Sequence, residues 1–168
     1  KSGYGLDSNG GELLIPNRQE LDLLDTKKVK NWFYLNKPTV VILAAARVGG
    51  ILANLENPTE FILENIKIQN NIIENAWKFG VKRLLFLGSS CIYPKYAKQP
   101  IIEESLLTGA LEETNQWYSI AKISGIKLCE ALRKQYNFDA ISVMPTNLYG
   151  PHDNYHPRNS HVMAAFIK

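Results

Sequence analysis

The sequence predicts an α/β fold built on a doubly wound parallel sheet with helices on both faces. Four short apolar runs recur along its 168 residues, at positions 12–15, 40–43, 83–87 and 141–144. Each run is nearly continuous in apolar residues, which is typical of strands that are covered on both faces. Stretches with helical periodicity separate the runs, and this alternation favours parallel βαβ units with right-handed crossovers.

Three helices are predicted between these strands, at residues 25–35, 58–79 and 118–136. In the second, four apolar residues recur close to the helical period: Ile62, Ile66, Ile73 and Ala76. Pro58 suits the first turn of that helix, and Gly80 suits its end. The final residues, 163–168, also have a helical pattern.

Composition limits the class of protein. Hydrophobic residues make up 45% of the chain and charged residues 21%, which suits one domain with an ordinary core and excludes a disordered chain. The formal net charge of +3 comes without a block of like charges, so no dedicated nucleic-acid-binding surface is indicated. Two cysteines without metal-ligand spacing favour a reducing compartment, and no apolar run is long enough to span a bilayer. We therefore expect a cytoplasmic protein.

Small and polar residues follow three of the predicted strands. Ala-Ala-Ala-Arg-Val-Gly-Gly occupies 44–50, Gly-Ser-Ser-Cys occupies 88–91, and Pro-Thr-Asn-Leu-Tyr-Gly-Pro occupies 145–151. Ligands of doubly wound sheets bind beyond the carboxyl ends of the strands, so these three loops predict a binding site at one edge of the sheet.

Tyr118 and Lys122 lie one helical turn apart and share a face of the third predicted helix. Because a cation favours phenolate over phenol, we expect Lys122 to lower the pKa of Tyr118 towards the range of proton exchange at neutral pH. Such a pair arises by chance about once in a chain of this composition, so it is a weak signal alone. Ser89 strengthens it, because its hydroxyl at a strand end can hydrogen-bond the same substrate oxygen.

The cysteines and two of the histidines receive different interpretations. Cys129 falls within an amphipathic helix and is expected in the core, whereas Cys91 lies in a polar turn and is a candidate functional thiol. His152 and His156 are four residues apart, but they lie in a proline-containing loop, and no metal site is predicted there.

These motifs resemble the extended short-chain dehydrogenase/reductase family, and within it the GDP-L-fucose synthase branch. Tyr-x-x-x-Lys at 118–122 marks the superfamily, whereas Gly-Ser-Ser-Cys-Ile-Tyr-Pro at 88–94 and Asn-Ser-His at 159–161 are specific to the branch. Segments 44–50 and 145–154 match as well, with Arg47 at a position where lysine is common. The similarity runs over most of the chain in the right order.

The resemblance implies a Rossmann-like, NADPH-dependent enzyme that epimerises C3 and C5 and reduces C4 of GDP-4-keto-6-deoxy-D-mannose. Tyr118 would protonate the C4 oxygen, Lys122 would hold the nicotinamide ribose, and Ser89 would hydrogen-bond the ketone. Cys91 and His161 would be the acid/base pair at C3 and C5. A thiol and an imidazole both titrate near neutrality, which suits proton exchange at carbons beside a ketone.

The resemblance also implies an NADP site that includes Lys122. The other candidate cofactor-binding residues are Arg18, Ala45, Leu87, Gly88, Ser90, Pro145, Asn147 and Leu148. Arg18 favours NADP over NAD, because no acidic residue that would bond the ribose hydroxyls follows the first apolar run directly.

Two parts of the family pattern are absent from the sequence: the Gly-x-Gly-x-x-Gly turn that binds pyrophosphate, and the nucleotide-sugar domain expected after residue 168. We therefore interpret 1–168 as an incomplete NADP-binding domain that carries the catalytic residues, with 152–168 beginning the connection to a substrate domain. These residues alone are expected to be inactive. The family also implies a homodimer formed through helices 58–79 and 118–136.

Two alternatives stay open. One is a reductase or epimerase for another GDP-linked keto-sugar, such as a deoxyheptose, because Cys91 and His161 support epimerisation without selecting the sugar. The other is a non-catalytic shortened chain, against which the intact set of candidate residues argues.

Overall fold

The computed structural model describes residues 11–146, 148, 150–155 and 162–167. Three parallel strands form the sheet in the order β1-β2-β3: β1 Val40–Leu43, β2 Arg83–Leu87 and β3 Ala140–Val143. The register pairs Leu43 with Phe86 and Leu87 with Val143. The carboxyl ends of all three strands therefore meet at one edge, as the sequence predicts, and this open parallel sheet confirms the expected fold class.

Five helices lie in the described part of the chain: α1 Thr26–Asn36, α2 Ile51–Glu56, α3 Pro58–Lys78, α4 Gln116–Tyr136 and α5 Val162–Ile167. The predicted helices are confirmed to within two residues at each end, whereas α2 was not predicted. Asp25 caps α1, because its carboxylate accepts hydrogen bonds from the backbone N–H groups of Lys27 and Lys28, both at 3.0 Å. Pro58 begins α3, as expected.

Helices α3 and α4 pack on each other and on the sheet face that bears Leu84 and Phe86, both at most 1% exposed. Gly125 of α4 lies close to both the sheet and α3. A Cβ atom there would lie 2.6 Å from Phe86 Cζ and 2.8 Å from Gln69 Oε1. Any side chain at position 125 would push α4 away from β2, so this close packing requires glycine.

The opposite sheet face differs from the expectation of helices on both faces. Val40 and Ile42 point to that side and are 56% and 65% exposed, so no described helix covers them. The prediction of helices on this face rests on the apolar character of Val40 and Ile42. An apolar strand shows that a sheet face can be buried, but it does not show which segment of the chain covers it.

The prediction of a strand at residues 12–15 is wrong for the described structure. This segment pairs with no strand, and Leu13 and Ile15 are 61% and 76% exposed. It borders an apolar cavity of about 520 Å³, with the free edge of β1 on another side. A strand needs a hydrogen-bonded neighbour, and an apolar run alone does not supply one.

No helix among the described residues combines the length and apolar character needed to cross a membrane.

Candidate active site

Lys122 joins α4 to the carboxyl end of β2. Its Nζ donates a 2.7 Å hydrogen bond to the carbonyl oxygen of Leu87, and the residue is 3% exposed. Burial disfavours the charged form and lowers the pKa of Lys122 to about 8. The ammonium lies 4.9 Å from the ring centroid of Phe86 and 5.7 Å from that of Tyr118, which places it over two aromatic faces.

The turn after β2 is bound to α4 beside Tyr118. Ser90–Ile92 form a 3₁₀ turn, and the hydroxyl oxygen of Ser89 accepts a hydrogen bond from the backbone N–H of Cys91 at 3.4 Å. The Ser119 hydroxyl donates to the carbonyl oxygen of Cys91 at 2.9 Å. Since Ser119 follows Tyr118 directly, this bond holds Ser89 and Cys91 close to the phenol.

The pKa of Tyr118 is raised to about 12, chiefly by burial and further by the nearby Cys91, while a hydrogen bond with Ser89 opposes the rise. The prediction that Lys122 lowers the pKa of Tyr118 is therefore wrong. Burial penalises the phenolate, and Lys122 points its ammonium at the Leu87 carbonyl. A phenol with this pKa is neutral at physiological pH and available as a proton donor.

The two thiols have the different environments that the sequence predicts. Cys129 is 1% exposed, and burial raises its pKa to about 11, with a smaller contribution from Glu130 and an opposing hydrogen bond from Ser142. Cys91 is a free, partly exposed thiol in the turn beside Tyr118. Only Cys91 is both accessible and next to the phenol.

Loop 44–50, which follows β1, is held by an asparagine that the sequence analysis did not identify. Asn65 of α3 accepts from the Arg47 backbone N–H at 2.9 Å and donates to the Arg47 carbonyl at 3.0 Å. The Arg47 guanidinium pairs with Glu64 at 3.0 Å and lies 5.5 Å from the ring centroid of Phe61. Asn65 is 2% exposed, and nothing in the sequence distinguishes it from Gln69, Asn71 and Asn75, the other buried amides of α3.

The structure brings together some of the candidate cofactor-binding residues. Arg18 and Ala45 border the same 520 Å³ cavity at the free edge of β1. Gly88 continues from Leu87, and its N–H donates to the Val143 carbonyl at 2.8 Å, next to the end of β3.

Ser90, Pro145 and Leu148 do not line this cavity, and two further candidates lie outside the described residues. Ser90 belongs to the 3₁₀ turn, Pro145 follows β3, and Leu148 is 71% exposed. Asn147 and His161 are outside the described part of the chain.

Metal binding has no candidate site in the described part of the chain, because no three His, Cys, Asp or Glu side chains cluster there. His156, one of the two histidines considered from the sequence, lies outside it.

Comparison with known proteins relates the chain to sugar-nucleotide enzymes. The sequence pattern of the NAD dependent epimerase/dehydratase family matches residues 5–168. GDP-L-fucose synthase 1 of Arabidopsis thaliana is 58% identical over 93% of this chain and 48% of its own length. The chain thus spans about half the length of such relatives.

Two solved structures share the fold closely. The crystal structure of a GDP-D-glycero-L-gluco-heptose synthase from Campylobacter jejuni, in the presence of NADPH, has a TM-score of 0.89 and 39% identity, covering 92% of this chain and 45% of that one. A GDP-L-fucose synthetase from Naegleria fowleri bound to NADP has a TM-score of 0.85 and 33% identity, covering 92% of this chain and 51% of that one.

Proposed function

The chain belongs to the NAD dependent epimerase/dehydratase family, and from this premise we propose that the whole protein containing it is a GDP-L-fucose synthase. The reaction would convert GDP-4-keto-6-deoxy-D-mannose to GDP-L-fucose by epimerisation at C3 and C5 and reduction at C4. The observation that carries the proposal is the grouping of Tyr118, Ser89, Cys91 and Lys122 where α4 meets the carboxyl end of β2.

Tyr118 would be the proton donor to the C4 oxygen. With a pKa of about 12 the phenol is neutral in the resting site, so it holds the proton that the reduced oxygen needs. The Ser89 hydroxyl, which hydrogen-bonds Tyr118, would also stabilise the negative charge that develops on that oxygen. Lys122 would help to hold α4 and Tyr118 in place, because its ammonium is hydrogen-bonded to the Leu87 carbonyl at the end of β2.

Cys91 would exchange protons with the carbons on either side of the ketone. Inversion removes a proton from one face of a carbon and delivers one to the other face, so two groups are required. Cys91 is the partly exposed thiol beside Tyr118 and serves as one of them. His161, outside the described residues, is proposed as the other from the family motif at 159–161.

NADPH is the proposed cofactor, and when bound it supplies the hydride that reduces C4. The residues present fit a dinucleotide in two respects. Small residues 44–46 leave room at the edge of β1, and the exposed Arg18 borders the same cavity, where a 2′-phosphate would be neutralised. Lys122, together with the candidate residues that follow β2 and β3, would contact the rest of the cofactor.

The domain arrangement and the dimer are part of the same proposal. Residues 1–168 would form part of the NADP-binding domain, with 152–168 leading to a substrate domain. A homodimer through α3 and α4 is supported by three exposed apolar side chains on these helices: Leu63, Trp117 and Ile120, which are 47%, 39% and 38% exposed. The two free cysteines support a reducing, cytoplasmic setting.

A second candidate is a reductase or epimerase for a GDP-linked heptose. The similarity of the fold to that of the heptose synthase of Campylobacter jejuni, with a TM-score of 0.89, supports this candidate. The two candidates differ in which keto-sugar supports turnover and leave the roles of Tyr118 and Lys122 unchanged.

The test is turnover by the whole protein. NADPH absorbance is followed with GDP-4-keto-6-deoxy-D-mannose or with a GDP-linked 4-keto-heptose, and the product is identified by NMR. We expect GDP-L-fucose from the first substrate and slow turnover of the second. The reverse preference would establish the heptose candidate, and turnover of neither would refute both. Residues 1–168 expressed alone are expected to be inactive, so their robust turnover would contradict the partial-domain assignment.

A further inference from the structure

We propose that Phe61 is a positioning residue that links loop 44–50 to the phenol of Tyr118. The inference rests on the proposed function, because it assigns Tyr118 the role of proton donor. It adds a residue on α3 that touches neither the substrate nor the reacting oxygen and acts through its contact with Tyr118.

Phe61 stands between the loop and the phenol. The ring is 1% exposed, and its centroid lies 6.4 Å from that of Tyr118 at an interplanar angle of 76°, an edge-to-face contact. The loop lies close to the same ring, because a Cβ atom on Gly49 would come within 3.1 Å of Phe61 Cζ. The Arg47 guanidinium, 5.5 Å from the ring centroid, adds a cation–π contact.

The loop is held at its middle and at its carboxyl end by buried amides, so it provides a firm support for Phe61. Asn65 bonds both backbone groups of Arg47, at 2.9 Å and 3.0 Å. Asn54 of α2 is 4% exposed and donates to the carbonyl oxygens of Gly49 and Gly50, both at 3.1 Å. Four backbone groups of the loop are therefore satisfied by two side chains.

One aromatic ring thus connects the loop proposed to border the cofactor with the group proposed to donate the proton. Tyr118 can rotate about its side-chain bonds unless neighbours restrain it, and proton transfer requires the phenol oxygen within hydrogen-bond reach of the substrate oxygen. Filling the space behind the phenol is a restraint that Phe61 supplies and a smaller side chain does not. A misplacement of about 1 Å is enough to slow a reaction roughly a hundredfold.

The experiment replaces Phe61 by leucine in the whole protein, with Phe138→Leu as the matched control. Phe138 is also buried, at 8% exposed, but it precedes β3 at the end of the sheet opposite the loops that follow the strands. Both variants lose comparable packing and should lower Tm similarly. We expect Phe61→Leu alone to reduce kcat by about tenfold or more, while the Kd of NADPH changes by less than about threefold. Equal kcat in the two variants would overturn the proposal.

A second variant and a spectroscopic readout cover the case in which Phe61→Leu does not fold. Gly49→Ala puts a methyl group 2.9 Å from Ala53 Cβ and 3.1 Å from Phe61 Cζ, so the loop must shift relative to both α2 and Phe61. It should lower kcat in the same way, and unchanged kcat in Gly49→Ala would also overturn the proposal. In protein labelled with 3-fluorotyrosine, the ¹⁹F resonance of Tyr118, assigned with Tyr118→Phe, should shift in Gly49→Ala and not in Phe138→Leu. This readout needs no substrate. An inactive wild type with the expected shift would refute the proposed function and leave the contact established, whereas no shift refutes the contact itself.

Discussion

Lys122 and Leu87 are joined by a 2.7 Å hydrogen bond from the ammonium to a backbone carbonyl at the end of β2. The bond ties the face of α4 that carries Tyr118 and Lys122 to the carboxyl end of β2. It also confines a cation to a site that is 3% exposed, which explains why the pKa of Lys122 falls to about 8. In the cofactor-free protein Lys122 acts more as a structural link than as an activator of the phenol.

This buried lysine should give the protein a specific pH dependence. Between the folded pKa of about 8 and the usual value of 10.5, the unfolded chain binds more protons than the folded one, so stability rises with pH through this window. The unfolding free energy of the wild type relative to Lys122→Met should therefore increase by about 3 kcal/mol from neutral to alkaline pH. Urea denaturation of the cofactor-free protein at several pH values measures it. Lys127→Met, on the exposed side of α4, should show no such difference, and parallel curves for Lys122→Met would exclude the assignment.

Loss of the Tyr118 hydroxyl should affect reduction far more than folding. Tyr118→Phe is expected to lower kcat for C4 reduction by about a hundredfold to ten-thousandfold, because the proton donor is removed while the ring contact with Phe61 stays. Steady-state NADPH oxidation measures the rate, and thermal unfolding checks the fold. Tyr136→Phe, at the far end of the same helix, is the control and should keep wild-type kcat. Similar rates in the two variants would remove Tyr118 from the mechanism.

The two thiols should react very differently with an alkylating reagent. Cys91 is partly exposed, whereas Cys129 is 1% exposed with its pKa raised to about 11 by burial. At mildly alkaline pH, iodoacetamide should modify Cys91 in the native protein and reach Cys129 only after unfolding. Mass spectrometry locates the label. Cys91→Ser should abolish native labelling within residues 1–168 and Cys129→Ser should not, and the opposite pattern would contradict the described burial.

Gly125 should be intolerant of a side chain. In Gly125→Ala the new methyl would lie 2.6 Å from Phe86 Cζ, and α4 must move away from the sheet to accept it. We expect a loss of about 1–3 kcal/mol in the free energy of unfolding, although alanine is the better helix former. Gly109→Ala meets only the Pro94 side chain, at 3.3 Å, and should lose less. Chemical denaturation compares them, and a more stable Gly125→Ala would show that the packing is looser than described.

Local patterns predicted the helices and the pairing of Tyr118 with Lys122, because a helical turn alone brings residues four apart onto one face. The loops after the strands were also placed at one edge, since parallel strands share their direction. Residues 12–15 were not predictable in this way, because strand formation depends on a hydrogen-bonded neighbour that an apolar run does not identify.

The electrostatics and the supports of the site depend on tertiary contacts. The four-residue spacing predicts that Lys122 lowers the pKa of Tyr118, but burial has the larger effect and raises it. The spacing of two residues in a sequence does not show how deeply either of them is buried. Phe61 and Asn65 read as ordinary members of a long amphipathic helix. Only their neighbours in space, Tyr118 and the backbone of Arg47, give them a role.

The most direct test separates the two half-reactions that one site is proposed to perform. The whole protein is incubated in D₂O with GDP-4-keto-6-deoxy-D-mannose and no NADPH, and deuterium at C3 and C5 of the sugar is followed by NMR. Wild type and Tyr118→Phe should both incorporate deuterium, whereas Cys91→Ser should lose incorporation while still binding NADPH. Undiminished exchange in Cys91→Ser would contradict the assignment of this thiol to epimerisation, and with it the account of a combined epimerase and reductase.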